Sequence, residues 1–141
     1  MELSGRCPCG AVTFRATEMP TMQGYCHCTS CQRAQAAPML AFALFSSDDV
    51  TLEGETTSLT ISGRDGAAVR LSCAVCGTRV ANVPGGGTLG LHALFPPLFA
   101  RHDWFTPAIH IFCEERMVDI DDALPKYVDT PEAFGGSGQT L

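Results

Sequence analysis

Three absences narrow what this sequence can be. The opening residues, Met-Glu-Leu-Ser-Gly-Arg, have neither a basic region nor an apolar one, so a secretory leader is not expected. No run reaches the roughly 18 apolar residues that a membrane-spanning helix needs. The longest apolar stretch, Pro38 to Phe45, suits a buried strand instead. Positive charge is also scarce: nine Lys and Arg stand against fifteen Asp and Glu, a formal charge of −6. The arginines are scattered, which argues against a nucleic-acid partner. With no leader the expected compartment is the reducing cytoplasm, where disulfides are rare.

Cysteine, by contrast, is abundant, with eight in 141 residues. In a reducing compartment that number points to metal or catalysis rather than a disulfide framework. Cys26-His27-Cys28-Thr29-Ser30-Cys31 packs three thiols into six residues. They can occupy three corners of a zinc tetrahedron, and the local sequence does not supply the fourth. Cys73-Ala74-Val75-Cys76-Gly77 has the spacing of a zinc knuckle, and glycine suits the tight turn after it. Cys7-Pro8-Cys9-Gly10 is the available second pair. Seven thiols therefore divide into a closed set of four (Cys7, Cys9, Cys73, Cys76) and an open set of three (Cys26, Cys28, Cys31). Cys113 is left over. It reads as a small apolar filler in a strand, with a fourth ligand as the sharper alternative.

The remaining candidates have weaker signals. His27 lies between two ligands, so its ring is expected to point away from the ion. His110 reads as a hydrogen-bonded strand residue. His92 and His102 could line a pocket. Arg33, two residues after Cys31, is either a solvated helix residue or an anchor for a substrate carboxylate. Arg79 has a lesser claim of the same kind. Phe95, Phe99, Trp104 and Phe105 suit core packing better than a pocket wall.

The hydrophobic pattern is mainly β. Val12, Phe14 and Ala16 alternate with polar residues, as a half-buried strand does. Strands are expected at Gln23 to Cys28, Met39 to Phe45, Val50 to Glu53, Ser58 to Ser62, Ala67 to Cys73, Thr78 to Val83, Thr88 to Leu94, Ala108 to Cys113 and Met117 to Ile120. A short helix capped by Thr29 or Ser30 is expected over Cys31 to Ala37. Phe95 to Asp103, with two adjacent prolines, reads as a surface excursion, with folding back over the core or a site as the alternative that its several aromatics offer. One domain over residues 1–130 with a loose tail over 131–141 fits this length.

The ordered motifs Cys7-Pro8-Cys9-Gly10, Cys26-His27-Cys28-Thr29-Ser30-Cys31-Gln32-Arg33 and Cys73-Ala74-Val75-Cys76-Gly77-Thr78 resemble those of the glutathione-dependent formaldehyde-activating enzymes. That domain is shared with centromere protein V. Pro107 to Ile111 and Leu124 to Tyr127 also look like family segments, so the resemblance covers about residues 4–128. It implies a zinc-stabilised β-tent of twisted antiparallel sheets. It also implies two Zn²⁺ per chain: a structural ion on Cys7, Cys9, Cys73 and Cys76, and a catalytic ion on Cys26, Cys28 and Cys31. The implied reaction joins glutathione to formaldehyde, giving S-hydroxymethylglutathione, the reverse of a carbon–sulfur lyase step. Three departures stand out. Gln32 replaces a second arginine that many relatives carry. Leu89-Gly90-Leu91-His92 lacks an aspartate common after the leucine. Met117-Val118 replaces a tryptophan region.

The expected partners are a small thiol and an aldehyde, without nucleic acid or membrane, for a monomer or homodimer. The competing reading is a non-catalytic zinc-stabilised binding module with both sites closed. A thiol redox role is the third.

Overall fold

The structure is a computed structural model, and it describes residues 2–61 and 68–141. In chain order its first elements are β1 (Leu3–Arg6), β2 (Thr13–Ala16), β3 (Met22–Cys26), α1 (Thr29–Gln35), β4 (Leu40–Ser46) and β5 (Val50–Glu53). Then come β6 (Thr56–Thr60), β7 (Val69–Cys73), β8 (Arg79–Val83), β9 (Leu91–Leu94) and β10 (Ile109–Ile111), with short 3-10 turns between. The fold is mainly β, as expected. The turn at 63–66 and the adjoining ends of two expected strands lie outside the described residues.

The chain forms two compact units, Met1–Met22 with Ala43–Phe105, and Gln23–Phe42 with Thr106–Leu141. In the first, β1, β2 and β5 form an antiparallel sheet with Phe14 opposite Gly5 and Leu52. Alternation along β2 buries Phe14 and Ala16 and leaves Thr13 and Arg15 outside. A second antiparallel set runs in the order β4-β9-β8-β7-β6. Phe14, Ala16, Ala43, Phe45, Ala81, Leu94 and Phe99 form the core of this unit.

The Phe95 to Asp103 segment folds back over the core, as its aromatics suggested, and does not wander over the surface. Phe95 and Phe99 are buried, and the Phe99 ring meets Phe14 edge-on at 4.9 Å and Trp104 at 4.8 Å. Pro96 opens a 3-10 turn that carries the chain back inward, and offset aromatic pairs at such distances add to the area they bury.

In the second unit β10 pairs with β3 in parallel, Ile109 opposite Gly24, His110 opposite Tyr25 and Ile111 opposite Cys26. This pair is parallel, beside the antiparallel pairs of the expected sheets. More than eighty residues separate the two strands in the sequence, long enough for the crossover that parallel pairing demands. Met117 to Ile120 forms no strand. The backbone partner of His110 on the other side is Lys126. Residues after Pro131 make a 3-10 turn over Glu132–Phe134, and the Leu141 amide donates to the Lys126 carbonyl at 2.9 Å.

Gly24 has a specific role in this pairing. A Cβ there would lie 2.3 Å from the Ile109 carbonyl oxygen, so only glycine lets the strands approach. Gly24→Ala is expected to cost about 1–3 kcal/mol in urea unfolding of the metal-loaded chain. A change below about 0.5 kcal/mol would contradict the close approach.

Candidate metal centres

The first cluster is built in the first unit by two turns. Cys7 and Cys9 follow β1, with the Cys7 amide donating to Val12 O and the Gly10 amide to Cys7 O. Cys73 ends β7, and the Gly77 amide donates back to Cys73 O at 2.9 Å. Gly77 has φ +78°, a left-handed geometry that glycine adopts freely. The sulfurs of Cys7 and Cys9 lie 3.6 Å apart, and those of Cys9 and Cys73 3.7 Å apart. All four ligand atoms lie within 4.8 Å of one another.

Amides converge on this cluster. Val12 N–H donates to the Cys7 sulfur, Ala11 N–H to Cys9, and the Val75 and Cys76 amides to Cys73, each at 3.4 Å. Such donation favours thiolate. Burial raises the Cys7 thiol, but the Val12 amide and the Cys9 and Cys73 sulfurs outweigh it and hold it below its ordinary value. The hydroxyl and amide of Thr78 hold Cys76 down to about 6. The Ala11 amide lowers Cys9, but burial and the three other sulfurs carry it up to about 11.

The second cluster lies in the second unit. Cys26 ends β3, Cys28 caps α1 and Cys31 sits on its first turn. The cap differs from the expected Thr29 or Ser30. The Cys28 sulfur itself accepts from the Cys31 amide at 3.2 Å, so the helix starts at Thr29 and ends at Gln35, with Ala36 left-handed. The Cys26 and Cys31 sulfurs are 3.6 Å apart, and all three lie within 4.8 Å of one another. Among the described residues no further Cys, His, Asp or Glu joins this group. The neighbouring thiols Cys28 and Cys31, then burial, push Cys26 well above its ordinary value. Cys26 lowers Cys28, but Cys31 and burial carry it up to about 11. Three crowded, buried thiols resist ionising together unless a cation compensates them.

Both clusters fit zinc. Four sulfurs at a Zn–S distance of 2.3 Å stand roughly 3.8 Å apart along a tetrahedron's edges. The observed separations of 3.6 to 3.7 Å match that edge.

Other residues hold the second cluster in place. The His27 amide donates to Ile111 O at 3.0 Å, and its carbonyl accepts from Gln32 Nε2 at 2.7 Å. Gln32 Nε2 also donates to Glu115 O at 3.0 Å, and Glu115 Oε1 accepts from the Thr29 amide. The His27 and His110 rings are both buried, with Nε2 of His27 2.8 Å from Nδ1 of His110. Nε2 of His110 lies 2.8 Å from Asp122 Oδ2, and Lys126 Nζ lies 2.7 Å from Asp122 Oδ1. His27 is held below its ordinary pKa, by burial first and then by His110.

Several expected site residues stand apart from the sulfurs. Cys113 is buried, outside both clusters, with its thiol raised by burial, as suits a filler. His92 bonds Ser47 Oγ through Nδ1 at 2.8 Å, and His102 is exposed. Arg33 is exposed in the last turn of α1. Two residues on from Cys31, it sits about 200° around the helix from that cysteine. Sequence reasoning missed Asp122, Lys126 and Glu115. The local signs were the four-residue spacing of Asp122 and Lys126 and the place of Lys126 in the family-like segment Leu124 to Tyr127.

The Asp122 carboxyl is held well below the usual carboxylate range, by Lys126 first and then by His110. A depressed carboxyl stabilises the fold while it is ionised and loses that contribution as pH falls through its folded value. The difference in urea midpoint between wild type and Asp122→Asn is therefore expected to be level above about pH 5. It should shrink below roughly pH 4, the ordinary Asp value. A difference that grows on acidification would contradict this assignment.

A family profile described as glutathione-dependent formaldehyde-activating enzyme matches residues 2–115, which include every cysteine of both clusters. No curated protein matches the chain. Among solved structures, a Rhodobacter sphaeroides protein is similar with a TM-score of 0.53 and 19% identity, over 67% of this chain and 85% of that one. At that identity the likeness concerns the fold alone. No helix among the described residues is long and apolar enough to cross a membrane.

Proposed function

We infer the activity from one premise: the chain belongs to the family of glutathione-dependent formaldehyde-activating enzymes. On that premise it is a zinc-dependent carbon–sulfur lyase-type enzyme of the reducing cytoplasm. It forms or cleaves an adduct of a thiol with an aldehyde, and glutathione with formaldehyde is the default pair. The observation that carries this reading is the asymmetry of the clusters: four sulfurs converge in one and three in the other. Four thiolates close a tetrahedral ion, whereas three leave a position for an exchangeable ligand. The binding-module alternative needs a fourth protein ligand at the second cluster, and none of the described residues joins it.

Cys7, Cys9, Cys73 and Cys76 would hold the structural ion, and Cys26, Cys28 and Cys31 the catalytic one. Zinc bound to the three thiolates would supply Lewis acidity and lower the pKa of a bound thiol. In the forward direction the substrate sulfur bonds the aldehyde carbon. The carbonyl double bond becomes a C–O single bond, and the thiol proton ends on that oxygen. No oxidant or reductant enters.

The chain's own residues set the stage. The Cys28 cap and the Gln32 amide fix the loop that presents the sulfurs. Burial of all three thiols limits water around the reacting groups. Arg33, exposed and on the side of α1 away from Cys31, is the proposed anchor for a carboxylate at the far end of a substrate.

Zinc content by elemental analysis is expected to be two ions per chain, falling to one in Cys28→Ser with loss of formaldehyde-dependent thiol-adduct turnover. Unchanged turnover in that variant would remove the enzyme reading. Arg33→Ala is expected to raise KM for glutathione by about 10-fold, the scale of one charge-assisted hydrogen bond, with kcat unchanged. KM for an uncharged thiol should stay level. An equal KM for glutathione in both proteins would withdraw Arg33 from the site.

A further inference from the structure

His27 stands between two of the three sulfur donors, and an imidazole is itself a good zinc ligand. Yet neither of its ring nitrogens joins the sulfur group. The ring, 1% exposed, is turned to His110, also 1% exposed and 83 residues away in the chain. His110 in turn meets Asp122. The Asp122 carboxylate is tied by Lys126 Nζ and by the Leu124 amide at 3.1 Å, and Lys126 also donates to the carbonyls of Asp122 and Leu124.

Donor and acceptor chemistry orders this line. An ionised carboxylate only accepts, so His110 carries its proton on Nε2. With one proton on each ring, the Nδ1 of His110 then accepts and His27 donates from its own Nε2. The remaining Nδ1 of His27 is an acceptor with no hydrogen-bond partner among the described residues.

The ring contact is one of three pins on His27, beside the amide bond to Ile111 O and the carbonyl bond from Gln32. These contacts hold both the ring and the backbone of the one residue that joins Cys26 to Cys28.

We propose that His27, His110 and Asp122 form a positioning array. This buried line of hydrogen bonds holds the His27 ring as its Nε2–H tautomer, away from the sulfurs, and so sets the approach of Cys26 to Cys28. The proposal rests on reading the second cluster as a metal centre. Its residues touch neither substrate nor the reacting atoms.

Long-range proton–nitrogen correlations on the full zinc-loaded chain, labelled at histidine, read the tautomers without any variant. Neutral Nε2–H rings are expected for both His27 and His110. An Nδ1–H ring at His27, or one averaging between tautomers, would overturn the array.

Cobalt(II) titration then reads the positioning, because sulfur-to-cobalt charge-transfer bands report the filling of each cluster. In Asp122→Ala the three-sulfur cluster is expected to bind cobalt about 10-fold more weakly, the lower end for losing an outer partner of a metal site. The four-sulfur cluster should bind as in wild type, which also reports an intact first unit. Asp122→Asn, whose amide oxygen still accepts from His110, should recover most of the affinity. Equal three-sulfur affinity in wild type and Asp122→Ala would overturn the positioning role alone. Failure of the wild-type chain to take a second cobalt would overturn the metal-centre reading, and with it the purpose given to the array.

Discussion

Thiolates repel one another, and that repulsion is the constraint on which the second unit turns. Cys26, Cys28 and Cys31 are buried with their sulfurs close together. Their crowding pushes Cys26 and Cys28 up rather than toward ionisation. Folding alone would not favour three such groups in one place. A divalent cation changes the sign of the interaction, since each sulfur then gains more from the ion than it loses to its neighbours. The sulfur separations near a tetrahedral edge are the geometric counterpart of that argument.

The first cluster meets the same repulsion differently. Four backbone amides point at its sulfurs, and Thr78 adds a hydroxyl beside Cys76. These dipoles supply part of the positive potential that an ion completes, so Cys7 and Cys76 fall below their ordinary values. In the second cluster the Cys31 amide donates to the Cys28 sulfur. The two centres differ in ligand number. A closed, well-donated site suits a fixed ion, and an open one suits exchange.

Much of this was legible in the chain. The Cys-x-x-Cys-Gly turn and the compact three-cysteine run are short-range geometry, and the structure forms both where the spacing placed them. The alternation at Val12, Phe14 and Ala16 appears as buried positions on and beside β2. Errors came where a local signal competed with a distant partner. Thr29 and Ser30 looked like helix caps, but Cys28 was already turned inward to the cluster and could take the Cys31 amide itself. At Phe95 to Asp103 two adjacent prolines and several aromatics pointed opposite ways, and the Phe99 ring decides between them by meeting Phe14 and Phe45.

The sequence by itself determined which sulfurs belong together within a turn, because one or two intervening residues leave a chain few ways to bend. It also determined the β-rich character and the division into four thiols and three. Tertiary structure decided the partnerships over distance. Cys9 meets Cys73 across 64 residues, β10 pairs in parallel with β3, and His27 finds His110 and Asp122. Such pairings depend on strand register and on which polar atoms burial leaves to be satisfied, and neither is encoded in the spacing of neighbouring residues.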